Sequence, residues 1–307
     1  MKTISIIFPI FIIIAAGWLA RKRHLIPDAF IEPANQIVYY FAIPAMIFRA
    51  VSKASFHDEF SSRVLMITLV CILAMSVIAW VITMIWKMPQ TFRGTFIQSS
   101  FHGNLGYIGL AVVFYSLGDA GLASGAIFAG FIMIVQNILA VAVLQIHSEK
   151  GEGATFDLRA NLKRILGHPV ILSACGGIGF SLLEIPLPII VERSLGILSG
   201  MALPLALLLI GATLSFDLMR LRFRPMLAAS CIKLLVMPGL GLVMFFFFSI
   251  PVPEYLPAFI LLASPTATLA FVMAKEMNGD PDFAVAAISG CTLLSGITFS
   301  LWLHFLL

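Results

Sequence analysis

Ten apolar stretches divide the chain, and short segments between them carry most of its charged residues. A helix needs about 17 to 25 apolar residues to cross the hydrocarbon core of a bilayer. Charged residues make up only 11% of the 307 residues, and the mean hydropathy is +1.04. The sequence therefore predicts an all-α integral membrane protein. The ten predicted spans are 3–20, 34–50, 64–86, 94–117, 120–146, 167–184, 194–214, 226–249, 256–274 and 283–305.

Several classes of function lack their motifs in this sequence. There is no G-x-S-x-G or H-E-x-x-H motif of a hydrolase and no Walker A sequence of an ATP-driven pump. The four cysteines lie in apolar spans at wide separations, which predicts neither disulfides nor a metal site. We therefore expect no enzyme activity, no cofactor, no metal and no nucleic-acid partner.

The basic residues indicate an orientation in the membrane. With the N-terminus outside, the predicted cytoplasmic loops hold 13 of the 19 Lys and Arg residues, the external side holds 5, and Lys233 lies inside span eight. Cytoplasmic loops carry an excess of Lys and Arg. The count therefore predicts that both termini lie outside the cytoplasm. The first span is interpreted as retained rather than as a signal peptide, because its basic residues follow the apolar run.

The chain also matches itself at a shift of 160 residues. This shift aligns Gly17 with Gly177 and Pro44 with Pro204, at corresponding points of corresponding spans. It predicts two repeats, 1–146 and 167–307, joined by a cytoplasmic linker at 147–166. Each repeat holds five spans, and because five is odd the second must be inverted relative to the first. Inverted repeats of this kind are typical of secondary transporters.

The stretch HGNLGYIGL at 102–110 interrupts span four, and the shift aligns its Asn104-Leu105 with Ser264-Pro265 in span nine. Pro265 cannot continue a helix without strain, and glycines lower helix propensity. Broken backbone at membrane depth persists only where protein buries it or where it lines a cavity. Close helix packing is the alternative explanation of the glycines alone. The paired interruptions favour two broken helices that meet near the bilayer midplane.

Four motifs carry a family resemblance: GNLGYIGLAVVFYSLGDAG, SPTATLAFVMAKEMNGD, KLLVMPGL and ISGCTLLSGITFSLWL. They resemble the auxin efflux carrier family, which includes plant PIN carriers and bacterial malate-permease-like transporters, and the resemblance covers essentially the whole chain. It implies ten transmembrane helices, with spans 1, 2, 6 and 7 as a scaffold and spans 3–5 and 8–10 as a transport domain that moves by an elevator-type mechanism. Spans four and nine would cross as broken helices, and the scaffold helices could form a homodimer. The short linker indicates a bacterial-type member in the inner membrane.

One departure from the family pattern concerns the first break. The motif often continues Gly-Ile-Pro, whereas this chain has Gly109-Leu110-Ala111. Without a proline, the glycines must open this half of the crossing.

The broken helices suggest how a substrate could bind. The N-terminus of a half-helix presents unpaired N–H groups and a partial positive charge, so two such ends could hold a carboxylate without an intramembrane arginine. Hydroxyls that bond to their own helix, and amides that bond between helices, are the alternatives for the polar residues. The predicted substrate contacts are Asn104, Gly106, Tyr107, Ser264, Pro265, Thr266 and Thr268, with Gln136 and Asn137 from span five.

One histidine and one lysine lie well inside the spans, away from the span ends. His102 could have a proton-linked role, with an ordinary hydrogen-bonded histidine as the alternative. Lys233 could attract an anion or tether the crossing, because an ionisable group inside a span is a functional hypothesis by default. Snorkelling of Lys233 to the cytoplasmic boundary is the alternative.

The sequence thus predicts a secondary active or potential-driven carrier of a small organic anion, either a dicarboxylate such as malate or an auxin-like aromatic acid, working in the lipid bilayer. Two alternatives remain: a sodium-coupled organic-anion symporter of the bile-acid type, and a membrane sensor that does not transport. No acidic residue lies near a span centre, so the sequence leaves the coupling ion open.

Overall fold

The structure, a computed structural model, describes residues 2–148 and 167–307, and the regular structure in these ranges is helical. The predicted linker at 147–166 lies outside the described residues from position 149 onward. The helices of the first half are α1 (Lys2–Lys22), α2 (Asp28–Ile37), α3 (Ile43–Lys53), α4 (Phe56–Glu59), α5 (Ser62–Ile85), α6 (Gln90–Phe101) and α7 (Leu110–Ile146). Those of the second half are α8 (Pro169–Leu182), α9 (Ile189–Gly200), α10 (Ala202–Ala212), α11 (Phe216–Leu221), α12 (Phe223–Cys231), α13 (Met237–Phe247), α14 (Val252–Leu262), α15 (Leu269–Glu276) and α16 (Pro281–Leu306).

Three short π-helical segments lie between these helices, at Val38–Ala42, Leu105–Gly109 and Ile232–Val236. A π-helical turn inserts one extra residue per turn, and such turns are frequent at functional sites. The first connects α2 to α3, the second opens α7, and the third connects α12 to α13.

Six segments of the described chain are long and apolar enough to cross a membrane. The chain is therefore an all-α, multi-pass membrane protein. Predicted spans four and five both fall in the apolar segment Leu105–Ile146, and a kink at Gly118 (φ 71°), a backbone conformation that favours glycine, separates them. Predicted span nine is divided between α14 and α15, and each half is too short to cross alone. The six segments are Ser5–Lys22, Ser62–Ile85, Leu105–Ile146, Ile189–Ala212, Phe223–Phe247 and Pro281–Leu306.

The closest helix packing joins the two halves of the chain. Helix α1 packs against α10, and α3 packs against α8. At the first contact, Gly17 faces the backbone of Leu208; at the second, a Cβ at Gly177 would lie 2.8 Å from Cβ of Val51. Glycine permits this approach because it has no side chain to separate the helices.

The remaining helices surround the interior of the molecule. Helix α5 packs against α7 and α13, α6 against α16, and α14 against α7. Large apolar side chains lie on the outside; Phe246 is 84% exposed and Ile197 78%. Such an apolar exterior is typical of a surface that contacts lipid.

Candidate functional site

Predicted span four breaks between α6 and α7. Helix α6 ends at Phe101, and helical backbone resumes at Leu105. Asn104 caps the new helix end, since its Oδ1 accepts a hydrogen bond of 3.2 Å from the N–H of Tyr107. Asparagine is among the preferred residues at this position, because its side chain satisfies an N–H that the helix cannot.

Predicted span nine breaks between α14 and α15. Helix α14 ends at Leu262 and α15 begins at Leu269, which leaves residues 263–268 outside both helices. Pro265 lies in the middle of this break and is buried. The two breaks, residues 102–104 and 263–268, are hereafter called the crossing.

The breaks pair with each other through an isolated antiparallel β-bridge between Gly103 and Thr266. The N–H of Asn104 donates to the carbonyl of Pro265 (2.7 Å), and the N–H of Ala267 donates to the carbonyl of His102 (2.8 Å). Each break thus supplies partners for backbone groups of the other that lipid could not satisfy. The sequence indicated two neighbouring interruptions but did not indicate this pairing.

Gly103 permits the close approach. A Cβ at this position would lie 2.6 Å from Oγ of Ser264 and 3.3 Å from Nζ of Lys233. Gly106 has more room, because a Cβ there would meet its nearest neighbour at 3.6 Å.

The two predicted amides of span five lie close to the first break. Gln136 donates to the carbonyl of Phe101 (3.1 Å) and accepts from the N–H of Gly103 (3.2 Å), so both ends of its amide hold the break. Asn137 donates to the carbonyl of Met133 in its own helix (2.9 Å). Both side chains thus have protein partners.

The predicted hydroxyls also have partners. Ser264 donates back to the carbonyl of Leu261 in the last turn of α14 (2.6 Å), a local bond of the kind that the sequence had left open. Thr266 donates across the crossing to the carbonyl of Ser99 (2.8 Å). Thr268 lies partly buried at the start of α15. Tyr107 reaches Asn35 at 3.5 Å, which connects the crossing to α2.

Lys233 reaches the crossing from the π-helical segment between α12 and α13. Its side chain is fully buried, and Nζ donates to the carbonyl of Leu262 at the end of α14 (2.9 Å). A cation at a helix C-terminus complements the partial negative charge of that end. Lys233 therefore does not snorkel to the boundary.

His102 is also buried, with 3% of its surface exposed. Its Nδ1 lies 3.4 Å from Nε2 of Gln98, as expected of an ordinary hydrogen-bonded histidine.

Four buried polar atoms near the breaks have no hydrogen-bond partner among the described residues: Nδ2 of Asn104, Oε1 of Gln98, Oγ of Ser99 and Oγ1 of Thr292. Buried polar atoms are normally paired, so each of these requires an explanation. Asn104 is a predicted site residue. The sequence reasoning missed the other three, although their polarity within apolar spans could have marked them.

The comparisons with known proteins cover nearly the whole chain. The model of the membrane transport protein family matches residues 3–303. An uncharacterized transporter of Methanothermobacter thermautotrophicus is 24% identical, with 98% of both chains covered, and one of Methanocaldococcus jannaschii is likewise 24% identical over 98% of both. A protein of Rhizobium meliloti that is provisionally named a malonate transporter is 25% identical, over 96% of this chain and 92% of its own. The chain therefore belongs to the membrane transport protein family, the family of the auxin efflux carriers.

Proposed function

We propose that this protein is a secondary transporter of a small organic anion, and that the crossing holds the carboxylate of the substrate. The observation that carries the proposal is the side-chain amide of Asn104. Its Nδ2 is buried and donates no hydrogen bond to any described residue, while its Oδ1 is already used in the helix cap. A carboxylate oxygen is the acceptor that such a donor lacks.

The charges around this amide favour an anion. Asn104 lies at the start of a half-helix, where unpaired N–H groups give a partial positive charge. The neighbouring Gly103 lies against Lys233, whose amine adds a formal charge. Gly106, Tyr107, Thr266 and Thr268 belong to the same proposed site, together with Ser264 and Pro265.

We further propose that the chain forms two inverted five-span repeats and moves by an elevator-type mechanism. The α1–α10 contact joins spans one and seven, and the α3–α8 contact joins spans two and six. In an inverted repeat, span one corresponds to span six and span two to span seven. The two contacts are therefore equivalent, which supports the repeat. The glycines at these contacts, Gly17 and Gly177, are the pair that the 160-residue shift aligns. Spans 1, 2, 6 and 7 would form the scaffold, and the broken helices would move with spans 3–5 and 8–10.

Malonate is the first substrate to test, because the R. meliloti relative is named for it. Malate and an aromatic acid such as indoleacetate follow as the other members of the proposed class. The remaining parts of the proposal are an inner-membrane location, both termini outside the cytoplasm and a homodimer through the scaffold helices.

The test is uptake of radiolabelled malonate into proteoliposomes that contain the purified protein and unlabelled malonate. We expect counterflow, and we expect it without a sodium gradient. An exported anion can use the membrane potential, which supplies about 2.3 kcal/mol per charge per 100 mV. Counterflow only in the presence of sodium would favour the bile-acid type of symport. Ligand binding without counterflow for any of the three acids would favour a sensor and refute transport.

A further inference from the structure

A cavity of about 600 Å³ lies away from the crossing. Its walls are the C-terminal part of α3, the kink of α7 and the facing parts of α9 and α10. The volume is within the range of roughly 300 to 1,000 Å³ that is typical of small-molecule sites. None of the residues proposed to bind substrate at the crossing lines it. The helix that starts at Leu105 reaches the cavity at Phe114, about 14 Å along its axis.

Arg49 on α3 lines this cavity, and its charge also acts on the carboxylate of Glu192, which already pairs with Lys53. The Nε atom is buried and donates no hydrogen bond, and no salt bridge joins Arg49 to a described residue. A Cβ at Gly196 on the opposite wall would lie 3.8 Å from Nε. A guanidinium presents its donors in a planar fork that matches a carboxylate, and a buried donor without an acceptor is unfavourable.

The other charged groups of the cavity are already occupied or lie at its rim. Lys53, one turn beyond Arg49, forms an ion pair with Glu192. Glu59 has partners of its own, and Asp119 is exposed at the kink of α7, where water screens its charge. Among the described residues, Arg49 is therefore the cation of this cavity that forms no salt bridge, although Glu192, which Lys53 already pairs, offsets part of its charge.

We propose that Arg49 binds a carboxylate of the incoming anion, so that the cavity is an access site on the route to the crossing. This inference rests on the proposed function, because it assumes that the transported molecule is a carboxylate. It adds a second site, made by α3, α7 and α9, at which the anion is bound before it reaches Asn104.

The test measures the concentration dependence of malonate uptake in proteoliposomes for five proteins: wild type, Arg49→Gln, Gly196→Leu, Lys53→Gln and Asp119→Asn. Arg49→Gln should raise the KM about tenfold or more at a nearly unchanged maximal rate, since hydrogen bonds between charged groups contribute a factor of this order. Gly196→Leu should have the same effect by covering the guanidinium. This variant keeps Arg49 and improves helix propensity, so it guards against a folding defect in the first.

Lys53→Gln is the matched control, because it removes one positive charge from the same face of the same helix. Its KM should rise by about twofold or less, because Lys53 is exposed and already paired. Asp119→Asn should leave the KM unchanged or lower it.

Three results would overturn the inference while leaving the proposed function intact. They are an unchanged KM in both Arg49→Gln and Gly196→Leu, equal effects of Arg49→Gln and Lys53→Gln, and a raised KM in Asp119→Asn. In each of these cases the wild type would still take up malonate and Asn104→Asp would not, so the proposed function would stand. Absence of carboxylate uptake and binding by the wild type would overturn the proposed function and this inference with it.

Discussion

The substitution Asn104→Asp separates the two roles that the structure gives this side chain. Oδ1 caps the helix that begins at Leu105, and Nδ2 is the buried donor without a partner. Aspartate is nearly the same size and is as good an N-cap as asparagine. The substitution therefore keeps the cap and replaces the donor by a carboxylate oxygen.

The expected loss of affinity is large. The missing charge-assisted hydrogen bond is worth about 1.5 to 3 kcal/mol. Two carboxylates about 4 Å apart repel by about 4 kcal/mol at an effective dielectric constant near 20. Together these effects amount to a loss of roughly four to five orders of magnitude in affinity, so malonate binding and counterflow should both disappear.

The fold should tolerate the change. Because the cap remains and the positive end of the helix offsets the cost of the buried carboxylate, the Tm in the absence of ligand should stay within a few degrees of wild type. Asn104→Ala loses both the cap and the donor and should be less stable by about 1 kcal/mol. Asn104→Ser is the matched control, since a serine also caps the helix but introduces no charge. It should lose only the hydrogen-bond part of the affinity.

The assay combines a thermal-shift titration with counterflow, because a ligand that binds the folded state raises its apparent stability. Malonate should raise the Tm of the wild type and leave that of Asn104→Asp unchanged. If Asn104→Asp kept the malonate-induced shift and the counterflow of the wild type, the carboxylate could not lie at Nδ2, and the proposed site would be wrong.

Three further substitutions test how the crossing is held together. Gly103→Ala should lower the Tm and abolish counterflow, because its Cβ would lie 2.6 Å from the Ser264 hydroxyl. Gly179→Ala on α8, where an added Cβ would meet nothing within 4 Å, is the control and should be nearly neutral in both measurements. Gln136→Leu should lower the free energy of unfolding by about 1 to 3 kcal/mol for each backbone group of the break that it leaves unpaired, and an unchanged midpoint of chemical denaturation would contradict this. Lys233→Met should weaken malonate binding about tenfold. Its Tm should be unchanged or higher, because a buried charge is costly. A lower Tm with unchanged malonate affinity would make Lys233 purely structural.

The sequence predicts the class of fold well because the bilayer imposes simple requirements on composition and length. The apolar runs correspond to helices throughout the described ranges, and the two predicted interruptions lie where helices end, at Phe101 and Leu262. The boundary between predicted spans four and five also lies where the structure has it, at Gly118, whose non-helical backbone separates two helices.

The partners of polar side chains were less predictable, because they depend on distant segments. Gln136 was predicted to contact the substrate, and the structure adds that its amide holds the backbone of a break 33 residues away in sequence. Arg49 was counted only as an external basic residue, because nothing in its neighbourhood along the chain shows that α9 encloses it. Such contacts follow from the packing of helices and not from local pattern.

The first break illustrates why local pattern is insufficient. The glycines of HGNLGYIGL suggested a chain that could leave the helix but was not compelled to do so. The structure gives Gly103 a different function, since its φ is not positive and its missing side chain makes room for Ser264. A continuous helix through 102–104 would remove the acceptor of Ala267 and the donor to Pro265. The bridge therefore couples the interruption of span four to the proline break of span nine, because each break supplies backbone partners that the other could not find in lipid.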